Sequence, residues 1–131
     1  MKSYEDLDVW QEAMALVEVV YGVSSSFPSD ERFGLTSQLR RAAVSVPSNI
    51  AEGHARASTR DFLRFLSISM GSLAETRTQL LIAKRMRFVE PAACDRACEH
   101  TDRVGRMLRG LMKALNARLA IPVPNPLPPT P

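Results

Sequence analysis

The chain has 131 residues, 45% of them hydrophobic but only 6% aromatic, with six glycines, which suits one helical domain better than a sandwich of strands. Its formal net charge of +3 hides an uneven split: residues 1–31 carry seven acids against one base, and residues 32–131 carry sixteen bases against seven acids. No run of about 18 apolar residues occurs, which excludes a membrane-spanning helix. The opening MKSYEDLDVW lacks the apolar stretch of a signal peptide, so a cytoplasmic location is expected.

The first helix is expected over Asp8 to Ser24, because Val9, Trp10, Ala13, Leu16, Val17, Val20 and Tyr21 recur at helical spacing on one face. SSSFPSDE then breaks the pattern, with Pro28 forbidding continuation. A second helix is expected to begin between Asp30 and Phe33, with Leu35, Leu39, Ala42, Ala43, Val46, Ile50 and Gly53 on its apolar stripe. Arg41, Ser45, Asn49, Glu52 and Arg56 form a polar stripe beside it. Ser58 followed by Asp61 reads as a capping box opening a third helix from Thr59 to Met86. That helix is roughly 42 Å long at about 1.5 Å per residue. Phe62, Phe65, Leu66, Ser69, Leu73, Leu80 and Ala83 line one face, and Leu63, Met70, Leu81 and Ile82 widen it enough to imply more than one partner. Gly71 and Ser72, mid-helix, suggest a close helix crossing.

The fourth helix is expected from Pro91, a good first-turn residue, to about Ala120, with Cys94, Ala97, Cys98, Thr101, Val104, Leu108, Leu111, Leu115 and Leu119 in a near-heptad seam. Cys94 and Cys98 share a face and read as buried, reduced thiols. The chain ends in IPVPNPLPPTP, six prolines in eleven residues, which predicts an extended, disordered tail. The expected organisation is therefore an all-α, antiparallel up-down-up-down four-helix bundle over residues 1–121 and a proline-rich tail over 122–131.

Pro47 interrupts the second helix. It removes the hydrogen bond to the Ala43 carbonyl and crowds that oxygen, at about 3 kcal/mol in an ordinary helix. The apolar stripe keeps its phase across the proline, which favours one kinked helix over two separate ones. Ser45 or Ser48 is expected to satisfy the freed carbonyl, and Asn49 and Glu52 to reach an arginine or backbone group of a neighbouring helix. Ser45, Asn49 and Glu52 can be read as a buried polar network that fixes helix register, or as a ligand site opened by the kink.

A reaction is harder to find. Only His54 and His100 occur, both in polar stretches that predict surface positions, and neither sits in a nucleophile triad. Glu52 to His54 and Glu99-His100 have the wrong spacing for a di-iron bundle, and no glycine-rich phosphate loop is present. No catalytic residue, metal or cofactor is expected. Glu75 lies between apolar neighbours and is expected to pair with an arginine of another helix, Arg41 being the candidate. The basic positions carry more. Arg56, Arg60 and Arg64 are spaced by four and would align if the helix ran through. Arg103, Arg106 and Lys113 share a face of the last helix beside Arg109, and Lys84, Arg85 and Arg87 gather at the end of the third. Such patches bind polyanions in a salt-sensitive, sequence-independent way. The bland reading is a solvated face with intersubunit salt bridges.

DLDVWQEA, FGLTSQLRRAAVSVPSNIAEG and FLSISMGSLAETRTQLLIA together resemble the bacterial four-helix-bundle family named after proteins encoded in intervening sequences of 23S rRNA genes, over about residues 4 to 120. The chain is also similar to the accessory variability protein of diversity-generating retroelements. The resemblance implies a bundle that assembles as a ring, a homopentamer, and a basic relative that binds a reverse transcriptase and nucleic acid. By resemblance Gln38, Arg41, Ser45, Pro47, Asn49, Glu52, Gly53, Gly71, Ser72 and Glu75 carry the family's signature, and no catalytic role is implied for them. The first expectation is thus a non-enzymatic homo-oligomer that binds RNA or DNA through arginine faces. A protein scaffold or adaptor stands beside it, and a small-molecule binder at the Pro47 kink is a third reading.

Overall fold

In the computed structural model, residues 3–120 are described; the proline-rich tail lies outside them. Four helices follow in order: α1 (Asp8–Ser24), α2 (Leu35–His54), α3 (Thr59–Arg85) and α4 (Pro91–Ala120). Short 3₁₀ turns at Tyr4–Asp6 and Ser29–Glu31 precede α1 and α2. Packing runs α1 on α2, α2 on α3, α3 on α4 and α4 back on α1, with no diagonal contact among these helices. That closed square is the expected up-down-up-down bundle, and it puts the α1–α2 groove on the side opposite the α3–α4 groove.

Local chemistry sets the ends. α2 starts later than the sequence pattern suggests, because Glu31 closes a separate turn and its Oε1 accepts the Leu35 N–H at 3.1 Å, leaving Phe33 86% exposed. At the start of α3 the Ser58 hydroxyl accepts the Asp61 N–H at 3.1 Å, half of the expected capping box. The Asp61 carboxylate faces Arg64 at 3.7 Å instead of reaching back. The end of α3 is a Schellman turn: Phe88 N–H donates to Ala83 O at 2.9 Å and Arg87 N–H to Lys84 O at 3.1 Å. Its left-handed position, usually glycine, is Arg87 at φ 62°.

Leu16, Leu39, Ile50, Leu66, Leu80, Val104 and Leu108 are fully buried and fill the core, one or more from every helix. Cys94 and Cys98 lie among them as free thiols, as their shared face predicts. α3 meets both α2 and α4, so part of its wide apolar surface is used within the chain, while Ile68, Ile82 and Met86 stay exposed. The close crossing is not at Gly71, around which a Cβ would meet nothing within 4 Å. It is at Gly53, where a Cβ would lie 2.6 Å from Phe65 Cβ and 3.0 Å from Phe62 Cδ1. The α2–α3 turn is short, so the two helices are nearest beside it, and that is where the missing side chain matters.

Candidate nucleic-acid interface

α2 is one continuous helix with Pro47 in its interior. The polar cluster around the proline binds α2 to α3. Ser45 Oγ and Ser72 Oγ share a hydrogen bond of 2.8 Å, and Asn49 Nδ2 donates to Ser45 Oγ at 2.9 Å and to Ser45 O at 2.8 Å. Ser69 Oγ donates to the buried Val46 carbonyl at 2.9 Å. Ser45 therefore turns to α3 and Asn49 rather than to the Ala43 carbonyl. Glu52 does not cross to a neighbouring helix either: it pairs with Arg56 at 2.9 Å within its own chain segment. Glu75 is exposed and accepts from Gln79 Nε2 at 3.3 Å, so it forms no ion pair with Arg41. These short bonds set the register of α2 against α3, which is the structural reading of the cluster.

The Arg56, Arg60, Arg64 row is broken by the turn between α2 and α3. Arg56 and Arg64 nevertheless meet at one place, their guanidinium carbons 4.9 and 4.7 Å from the centroid of the Phe65 ring. Both already face a carboxylate, Glu52 and Asp61 respectively. Arg60 faces none among the described residues. At the far end of α3, Lys84 Nζ donates to Asp95 Oδ1 at 2.8 Å, and that hydrogen bond, with the Asp95 charge behind it, raises the Lys84 pKa. Arg85 and Arg87 stay without a carboxylate among the described residues.

The last helix splits its cations between two sides. Arg103 reaches Glu12 of α1 at 3.7 Å, so one acidic residue of the N-terminal segment meets a basic residue of α4. Arg106 and Arg109 instead line a cavity of about 370 Å³ between α3 and α4, together with Arg77. Arg77 Nε donates to Asp102 Oδ1 at 3.0 Å. Sequence reading passed over Arg77 because it sits beside the core stripe of α3, not in a visible basic run. The signal was its position on the edge of that stripe, where a long side chain borders the partner helix. Lys113 is exposed one turn beyond Arg109.

On the opposite side, the α1–α2 groove is apolar. Tyr4, Trp10, Met14, Val17, Val44, Pro47 and Ala51 line one cavity of about 290 Å³. A wider one of about 600 Å³ continues past Tyr21 and Phe33 to Arg32, Arg40 and Arg41. Arg40 stacks its guanidinium 4.5 Å from the Tyr21 centroid and donates to Ser24 Oγ at 2.8 Å.

The histidines are less exposed than their surroundings in sequence imply, each being half-buried. His54 packs edge-on against Phe62 at 5.7 Å, and His100 Nδ1 is buried without a hydrogen-bond partner among the described residues. Burial first, and the neighbouring Cys94 second, push the Cys98 thiol up to about 11, so it stays protonated at neutral pH. No cluster of three potential metal ligands occurs among the described residues, and none of their helices is long and apolar enough to cross a membrane.

In fold the chain is similar to the 1.70 Å crystal structure of a protein of unknown function from the S23 ribosomal protein family of Bacteroides thetaiotaomicron. The TM-score is 0.74 at 18% identity, covering 80% of this chain and 95% of that one, a likeness that speaks for the fold alone. Among curated proteins no match is found. The family model of the 23S rRNA-intervening sequence proteins matches residues 5–110, and it is to this family that the chain belongs.

Proposed function

We propose that the chain is a non-enzymatic helical bundle that assembles with copies of itself and binds RNA or DNA through its arginine-rich faces. One observation carries the reading: Arg60, Arg85, Arg87, Arg106, Arg109 and Lys113, all on or next to α3 and α4, have no carboxylate within 4.0 Å among the described residues. Unpaired cations release bound counterions when they meet phosphates, which drives sequence-independent association. Arginine adds bidentate geometry that lysine lacks.

Self-assembly draws support from the other side of the bundle. Met14, Tyr21 and Val44 are 39–43% exposed along the α1–α2 groove, and Phe33 stands out at 86%. An apolar strip of this kind is more typical of an interface than of a free surface. The family resemblance implies a ring of five copies, which would repeat a weak basic face and raise its avidity.

Titrating labelled RNA and DNA oligonucleotides along a salt series tests the binding. Affinity is expected to fall steeply as salt rises, and no binding at low salt refutes the nucleic-acid role. Light-scattering mass tests the assembly, and a mass of one chain refutes it. The exposure of Phe33 also favours a second reading, a protein scaffold, which predicts a captured protein partner that survives nuclease treatment.

A further inference from the structure

Resting on that reading for the source of its ligand, we propose that the cavity between α3 and α4 is a discrete phosphate site, in which Arg106 and Arg109 grip one backbone phosphate beside the Arg77–Asp102 pair. Charge is the first argument. Three guanidiniums border the cavity and a single carboxylate, Asp102, faces them. That carboxylate is already engaged by Arg77 Nε at 3.0 Å, which leaves the terminal nitrogens of Arg77 without a partner among the described residues. Arg106 and Arg109 have no counter-ion there. The groove carries two positive charges more than it balances, and an anion is the missing component.

Shape is the second. Gly105 is buried in the middle of α4, where glycine costs about 1 kcal/mol against alanine. A Cβ at that position would lie 3.3 Å from Arg109 Nη1 and 3.4 Å from Leu73 Cδ2. The Arg109 guanidinium is therefore folded back along its own helix over residue 105, at the cavity wall, while the side chain as a whole stays exposed. Arg56 and Arg64 differ: they lie over an aromatic ring, each with its own carboxylate.

The donor set selects the anion. A planar carboxylate is satisfied by one guanidinium fork. A tetrahedral phosphate offers oxygens in several directions and matches two forks arriving from successive turns of α4. Asp102 acts as a positioning residue, holding Arg77 by its Nε so that the terminal nitrogens point elsewhere.

Arginine Nε–H resonances followed by NMR, with calorimetry for stoichiometry, test the site using inorganic phosphate, a nucleoside monophosphate, a short single-stranded oligonucleotide and acetate. Expected is a saturable shift of the Arg106 and Arg109 resonances with one phosphate per chain, and no comparable shift with acetate. Arg106→Ala or Arg109→Gln weakens phosphate binding about tenfold, as loss of one charged hydrogen bond implies. Gly105→Ala, which keeps every charge but fills the seat of Arg109, weakens it in the same direction. Arg32→Ala, on the α1–α2 side of the bundle, leaves it unchanged. The site is overturned if phosphate does not saturate these resonances, if acetate shifts them equally, or if Arg32→Ala matters as much as Arg106→Ala. Saturation by inorganic phosphate with no oligonucleotide binding at low salt keeps the site and removes the nucleic-acid role. Oligonucleotide binding that leaves Arg106 and Arg109 unmoved removes the site and keeps that role.

Discussion

Replacing Gly53 by alanine puts a methyl group where α2 and α3 approach most closely. The new carbon would stand 2.6 Å from Phe65 Cβ, 3.0 Å from Phe62 Cδ1 and 3.3 Å from the Phe62 carbonyl oxygen. Carbon atoms rest at about 3.5–4.0 Å, so the first contact is short by about 1 Å. Phe65 Cβ is tied to its backbone and cannot rotate away, and Phe65 is only 6% exposed, so the helices themselves must separate. Overpacking of this kind costs about 1–3 kcal/mol. The helix-propensity gain of alanine over glycine, at most about 1 kcal/mol, is smaller this close to the helix end. The expected net effect is a loss of about 1–2 kcal/mol, or roughly 4–8 °C in melting temperature for a domain of this size. Gly71→Ala is the matched control: open space surrounds it, and a gain of about 0.5–1 kcal/mol is expected. Urea and thermal denaturation of both variants decide the matter. A Gly53→Ala protein as stable as the parent would refute the crossing argument.

Arg87→Gly is expected to raise stability by about 1 kcal/mol, since the left-handed φ of 62° strains any residue with a Cβ; denaturation midpoints check this. Cys98 predicts a pH effect: its thiol holds its proton more tightly folded, at about 11, than the ordinary 9.0. The stability this contributes is complete below pH 9.0 and lost as pH climbs towards about 11, by at most about 3 kcal/mol. Cys98→Ala should flatten that decline in urea titrations, and an undiminished slope in the variant would count against the burial argument.

The two sides of the bundle explain why charge and greasiness do not compete. The apolar strip runs along α1 and α2, with Arg32, Arg40 and Arg41 at one end of it, while the cations assigned to nucleic acid lie on or next to α3 and α4. Contacts between copies through the first need not consume the second. The acidic N-terminal segment is only partly neutralised within the chain, the Glu12–Arg103 pair being its one link to a basic residue among the described residues.

Periodicity alone determined the helices. α1 falls at its expected ends, the stripe that keeps phase across Pro47 becomes one helix, and Ser58 caps α3, because these depend on neighbours three or four residues apart. The same spacing put both cysteines in the core. Tertiary structure alone decided which glycine sits in the crossing, that Arg56, Arg60 and Arg64 are not a row, and that Arg77 joins Arg106 and Arg109. Those outcomes depend on how each helix is rotated about its axis and how closely it meets a partner some thirty positions away. A pattern that repeats about every 3.6 residues carries no information about either.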